Sequence, residues 1–186
     1  MTKTTTRSGL GRAAVVLAAT LAVATAQAGA ASTSTPKSKA RPAATATIEA
    51  RSGSSLEGKA TFRAKGGKVT LDLRVSHAAP GTHAVHLHEK GDCSDPEGKS
   101  AGSHWNPSGA AHGKWGESCH LGDIGNLVVD AKGNGRLKLT TDLWTIGGPS
   151  GSDVLGKAVI VHATADDFTT QPTGNAGGRI GCGVVR

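Results

Sequence analysis

The chain has no long segment with apolar residues at a helical period, which argues against a fold built from amphipathic helices. It has no internal repeat, which sets aside solenoids and propellers. Its apolar run AAVVLAATLAVATA, Ala13 to Ala26, is shorter than the roughly 20 residues a bilayer crossing needs. No twin-arginine pair precedes that run, and no cysteine follows it to carry a lipid. Cysteine is scarce: only Cys93, Cys119 and Cys182. In an oxidising compartment two of the three are expected to pair, and spacing does not choose which. An excess of positive charge is also largely missing from the part that folds. The formal charge is +7, but Lys3, Arg7 and Arg12 open the chain and Lys37, Lys39 and Arg41 follow in a polar stretch. The near-neutral remainder has no electrostatic footprint for nucleic acid.

The features present divide the chain into three parts. Residues 1–30 combine a basic start, the apolar run and the small-x-small sites Ala26-Gln27-Ala28 and Ala28-Gly29-Ala30, the pattern of a removable secretory leader. Residues 31–44, from the start of ASTSTPKSKARPAATAT, are rich in Ser, Thr, Pro and Ala. They hold too little apolar surface to offset the entropy of ordering, so a flexible tether is expected. Its three cations suit weak contact with an anionic envelope surface. Residues 45–186 are the expected folded domain.

Within that domain the dominant period is two. KVTLDLRV places Val69, Leu71, Leu73 and Val75 on one face and polar residues on the other, a half-buried strand. TATIEAR, GKATFRA, HAVHLHE, NLVVDAK, GRLKLTT and KAVIVHA are further strands. KGG at 65–67 and KGNG at 132–135 are hairpin turns, because Gly and Asn tolerate positive φ. Short strands joined by turns imply an all-β sandwich or barrel. Two stretches, 91–119 and 163–178, are long loops flanked by histidines, a placement that favours function.

The histidines carry the chemistry. His86 and His88 sit at i and i+2, so both imidazoles leave one face of a strand and can reach one metal ion. His83 is at odd spacing to both and is expected to be a structural hydrogen-bonding residue on the other side. In AGSHWNPSGAAHGKWGESCHLGDIGN, His104, His112 and His120 recur every eight residues, followed by Asp123. Three imidazoles and a carboxylate match a four-coordinate zinc site. His162 ends the strand VIVH, and a cluster of neutral imidazoles suits copper or zinc over harder cations.

The ordered series HAVHLHEKGDC, AGSHWNP, HG, HLGDIGNL, GKAVIVHATADD and GNAGGRIGCGV resembles the secreted bacterial copper/zinc superoxide dismutases, from about Thr45 to Arg186. The resemblance implies an eight-stranded antiparallel Greek-key β-barrel, a flattened sandwich, with long metal-binding and active-site loops. It implies one copper and one zinc per subunit. Copper would be held by His86, His88, His104 and His162, and zinc by His104, His112, His120 and Asp123, with His104 bridging the two. Arg179 and His104 would act on the superoxide substrate. Asp166 would join His86 to His112, and Cys93–Cys182 would be the disulfide. The implied reaction is dismutation to O₂ and hydrogen peroxide by a secreted monomer or homodimer. Two other readings are a non-enzymatic secreted copper/zinc carrier on the same fold and an adhesion module stapled by metal. Neither has a use for the bridging histidine together with Arg179. Two features depart from the family pattern. Thr169 and Thr170 stand where many relatives carry a steering lysine, so a weaker salt dependence of the rate is expected. Cys119 directly precedes a zinc-type ligand and is expected to be inert.

Overall fold

A computed structural model describes residues 43–186. The expected leader and the tether up to residue 42 lie outside the described residues. Ala43 and Ala44, which composition assigned to the tether, already belong to the first strand.

Eight strands follow in order: β1 Ala43–Ala50, β2 Glu57–Lys65, β3 Lys68–Ser76, β4 Gly81–His88, β5 Asp123–Val129, β6 Gly135–Thr141, β7 Ala158–His162 and β8 Arg179–Val184. A three-residue 3₁₀ turn, Lys99–Ala101, is the one helical element among the described residues. The strands close a barrel in the order β1-β2-β3-β6-β5-β4-β7-β8, and every pairing is antiparallel. Consecutive β4, β5 and β6 lie side by side and β3 returns beside β6, which is Greek-key topology. Closure leaves no unpaired sheet edge.

The period-two pattern produces this directly. Along β3, Val69, Leu71, Leu73 and Val75 are buried while Lys68 and Arg74 are exposed. With Ile48, Phe62, Leu87, Leu127, Val159 and Val161 they fill the barrel. Both expected turns form. Gly66 and Gly67 have φ of 58° and 75° in the β2–β3 hairpin, which only a residue without Cβ adopts cheaply.

Strand β4 differs, because six consecutive residues from His83 to His88 are buried. Val85 and Leu87 face the core. The other side of β4 is covered by the first long loop, held there by three main-chain hydrogen bonds. Leu87 N–H donates to Gly122 O (2.8 Å), Trp105 N–H to Leu87 O (2.8 Å) and Gly122 N–H to Trp105 O (2.9 Å). A Cβ on residue 122 would stand 2.2 Å from Leu87 O, so only glycine allows this approach. The three bonds bring His104 and His120 to the strand that carries His86 and His88.

Strand β8 shows no alternating pattern, since two of the six residues of RIGCGV, Gly181 and Gly183, are glycine. Packing explains its composition. A Cβ on Gly181 would meet Leu56 Cδ2 at 2.8 Å, and one on Gly183 would meet Thr47 O at 2.3 Å. The last strand therefore needs glycine to pair with both β7 and β1.

Candidate metal centre

Strands β4 and β7 and the two long loops converge on a buried cluster of imidazoles. His86, His88, His104, His112, His120 and His162 are all at most 7% exposed, as are Asp123 and Asp166. A β-bulge between Val85 and His86 interrupts the β4–β5 register at the point where the strand turns its histidines toward the loop.

Hydrogen bonds on the outer side of each ring fix which nitrogen is free. His86 Nε2–H donates to Asp166 Oδ2 (2.8 Å), His88 Nδ1–H to Gly102 O (2.9 Å) and His162 Nδ1–H to Gly177 O (3.3 Å). His112 Nε2–H donates to Asp166 Oδ1 (2.9 Å). Each of these bonds holds the ring proton away from the cluster centre, so the opposite nitrogen presents a lone pair inward. The unpartnered buried atoms are His86 Nδ1, His88 Nε2, His104 Nε2, His112 Nδ1 and His162 Nε2. Buried polar atoms rarely lack a partner.

Those atoms fall into two adjoining sets. Ligand atoms of His86, His88, His104 and His162 lie within 4.8 Å of one another, and so do those of His86, His104, His112 and Asp123. His120 joins the second set by its Nδ1, 3.3 Å from His104 Nδ1 and 3.2 Å from Asp123 Oδ1. His86 and His104 both belong to both sets, but they differ in their second nitrogen: His86 Nε2 is committed to Asp166, whereas His104 has Nδ1 2.9 Å from Asp123 Oδ1, a member of the second set, and leaves Nε2 without a protein partner. The donor chemistry fits the metals that the sequence suggested: four imidazoles for a redox copper and three imidazoles with one carboxylate for zinc.

The electrostatics match this arrangement. Burial holds His86 and His88 well below the ordinary imidazole range, with the charge of His104 adding to it at both. Burial lowers His162 to about 4, and it also lowers His120. These rings are neutral at pH 7, as metal ligation requires. For Asp123 burial works upward, but its bonds to His104 and Gly113 N–H and the nearby His112 and His120 outweigh that, so its pKa is lowered and it is ionised. Asp166 is fixed by two further bonds: Phe168 N–H donates to its Oδ1 (2.7 Å), and its own N–H donates to Asn126 Oδ1 (2.8 Å).

Arg179 stands at the mouth. Its Nη1 donates to Gly98 O and its Nη2 to Gly102 O, both at 2.7 Å. Burial lowers its pKa, yet a guanidinium stays protonated at physiological pH. It shares with His88, His104 and His162 a cavity of about 330 Å³ that Pro172 and Thr173 also line. Thr169 and Thr170 do not line this cavity, and their side chains bond Asp167 instead. A hollow of about 640 Å³ beside Cys93 and Cys182 carries no imidazole.

A copper/zinc superoxide dismutase family model matches residues 56–185. The chain belongs to the copper/zinc superoxide dismutase family. It is 36% identical over 150 residues to the Cu-Zn superoxide dismutase of Caulobacter vibrioides, covering 77% of this chain and 86% of that one. Against the Deinococcus radiodurans Cu-Zn superoxide dismutase it is 35% identical over 158 residues, covering 78% and 85%. Among solved structures, the clock protein EA4 matches with a TM-score of 0.68 at 37% identity, over 78% of this chain and 94% of that one. A double mutant of a superoxide dismutase-like protein from Bacillus subtilis matches with 0.66 at 32% identity, over 75% and 95%.

Cys93 and Cys182 form the disulfide, and Cys119 is free, with a thiol pKa raised by burial and by Asp123. His83 lies apart from both metal sets, bonded through its two nitrogens to His162 O (2.9 Å) and Ala79 O (2.8 Å). Sequence reading missed the main-chain acceptors Gly98, Gly102 and Gly177, which orient Arg179, His88 and His162. It also missed Arg51, whose Nε and Nη2 both donate to Cys93 O. A carbonyl oxygen has no signature in residue type. The only hint was the clustering of glycine in those two loops.

Proposed function

We propose that this protein removes superoxide, converting two superoxide ions and two protons to O₂ and hydrogen peroxide. The observation that carries the reading is the set of four inward-facing imidazole nitrogens without a protein partner, on His86, His88, His104 and His162, the last three of which line a cavity together with Arg179. His86, His88, His104 and His162 would hold copper, and His104, His112, His120 and Asp123 would hold zinc, one of each per subunit. Copper, when bound, supplies one-electron redox chemistry, taking an electron from one superoxide and giving it to a second.

The chain's own residues do the rest. Arg179 attracts the anion and orients it, its guanidinium held still by the two loop carbonyls. His104 takes up a proton at Nε2 and returns it to the outgoing peroxide. Asp166 keeps the His86 and His112 rings in register with each other, so that one carboxylate sets a ligand on each metal.

The leader and tether readings belong to the same proposal: an exported enzyme, monomeric or homodimeric, working outside the cytoplasm. The disulfide supports this, since such bonds persist in oxidising compartments. The test is to count copper and zinc per chain and to measure superoxide removal by the parent and by His88→Ala. The expected result is one of each metal and activity in the parent, with copper and activity lost in the variant. Full metal occupancy with no superoxide removal would leave a metal carrier as the correct reading.

A further inference from the structure

The near-neutral charge of the folded part conceals a partition. Strands β1, β2, β3 and β6 are neighbours in the barrel, and their outward positions alternate with the buried core. On that face stand Lys59, Arg63 and Lys65 of β2, Lys68 and Arg74 of β3, and Arg136 and Lys138 of β6. The acids on the same four strands are Glu49, Glu57 and Asp72. These strands therefore carry +4, and the rest of residues 43–186 carries −3.

The arrangement works against the stability of the sheet. Lys59 is directly opposite Arg74, and Arg74 is directly opposite Arg136, so three cations form one row across three strands. Lys65 opposes Lys68 at the hairpin. Like charges in directly opposed positions destabilise a sheet. Asp72 relieves only the β3–β6 side: Arg136 grips it through Nε and Nη2, and Arg74 and Lys138 approach within 3.7 and 3.9 Å. Among the described residues, Lys59, Arg63, Lys65 and Lys68 have no carboxylate partner. A row of repelling cations that lowers stability fits a surface kept for an anionic partner.

We propose that this face binds a linear phosphodiester polymer of the cell envelope. Three features choose that occupant. Strands about 4.8 Å apart, with outward residues about 7 Å apart along each, form a grid of cations that a flexible polyanion can follow. Threonines at 61, 70 and 140 fill the intervening outward positions, and no aromatic side chain is among them, so the face has no platform on which nucleobases could stack. No large apolar side chain projects from it either, so nothing enters a bilayer. The metal-centre strands β4 and β7 lie in the opposite half of the barrel, separated from β1–β2–β3–β6 by β5 and β8. Binding therefore leaves the cavity at Arg179 open to solvent.

The test uses the full chain and synthetic poly(glycerol phosphate), with double-stranded DNA and anionic phospholipid vesicles in parallel. Engaging about four phosphates on a flexible strand predicts roughly 50-fold weaker binding between 50 and 200 mM salt, from a slope near −0.7 per contact. Lys59→Gln/Arg63→Gln/Lys65→Gln/Lys68→Gln is expected to lose at least tenfold in affinity at 50 mM salt, at unchanged metal content and superoxide removal. Its unfolding midpoint should not fall, because repulsion is removed. Replacing the three lysines with arginine should keep the binding. Lys37→Gln/Lys39→Gln/Arg41→Gln should bind nearly as the parent does. No binding by the parent, equal binding by the quadruple glutamine variant, or loss confined to the tether variant would overturn the proposal. So would DNA or vesicles binding as tightly as poly(glycerol phosphate).

Discussion

Removing the disulfide tests both the stability and the site. Cys93 and Cys182 are 89 residues apart and join the first loop to β8. Closing a loop of that length lowers the entropy of the unfolded chain by an amount worth about 4–5 kcal/mol at 25 °C in the chain-entropy model. For a domain of this size that corresponds to roughly 10–20 °C in unfolding midpoint. The bond also tethers functional groups. The loop that begins at Cys93 supplies Gly98 O and Gly102 O, the two acceptors that hold Arg179, and Gly102 O also fixes His88. The paired hydrogen bonds from Arg51 to Cys93 O remain after the disulfide is gone, so the loop stays partly attached. Cys93→Ala/Cys182→Ala is therefore expected to fold, to lose about 4–5 kcal/mol in denaturant unfolding, and to lose superoxide removal to a greater degree than metal. Alanine suits residue 182, which is buried among Ala158 and Ile160, where a hydroxyl would lack a partner. A variant that loses less than about 1 kcal/mol would refute the entropic argument. Full activity in a variant shown to lack the bond would refute the role of the loop in holding Arg179.

Asp166→Asn keeps the shape but removes one of the two acceptors that set the His86 and His112 rings, so metal affinity should fall by about 10–100-fold in chelator competition. Unchanged affinity for both metals would show the carboxylate to be dispensable. Arg179→Gln should lower kcat/KM for superoxide by roughly tenfold or more while metal content stays constant, since a neutral amide cannot attract the anion. The metal-free protein should lose stability as pH falls. His162 has its pKa lowered to about 4 in the fold, against 6.5 in the unfolded chain, so the unfolded state takes up the proton first. Its contribution is unaffected above about pH 6.5, declines toward about pH 4, and amounts to about 3 kcal/mol lost, read from denaturant midpoints across that range. A flat profile would contradict a buried neutral imidazole. The superoxide rate should change by less than about threefold between 20 and 200 mM salt, because Arg179 is the sole charged cation on the cavity wall and Thr169 and Thr170 face Asp167. A tenfold fall would show longer-range steering.

The imidazole cluster makes different demands on the two halves of the barrel. On β5-β4-β7-β8 the packing has to hold several neutral imidazoles with their lone pairs facing one another, a geometry that the unpaired ring nitrogens oppose. The counterforce is rigid: His86 and His88 are on a strand buried on both faces, and the loop opposite is fixed to it at Leu87, Trp105 and Gly122. Asp166 and Gly102 O each hold two groups at once, so ring orientation is shared between neighbours and does not depend on single bonds. On β1-β2-β3-β6 there is no such demand, and those outward faces are free to carry charge.

What could be read from the sequence follows from which kind of atom performs each task. Strand β3 was legible because the alternation of Val69, Leu71, Leu73 and Val75 with polar residues is itself the burial pattern. His86 and His88 were legible as a pair because strand geometry fixes the direction of i and i+2 side chains. Strand β8 was not, because Gly181 and Gly183 are there for close approach to Leu56 and Thr47, and missing side chains leave no period. The convergence of His104, His112 and His120 on β4 was also illegible from spacing, since Gly122 and main-chain bonds determine it. Net charge misled for a related reason. A sum over residues discards position, and only the register, with Lys59 opposite Arg74 and Arg74 opposite Arg136, shows that a nearly neutral domain presents one strongly basic face.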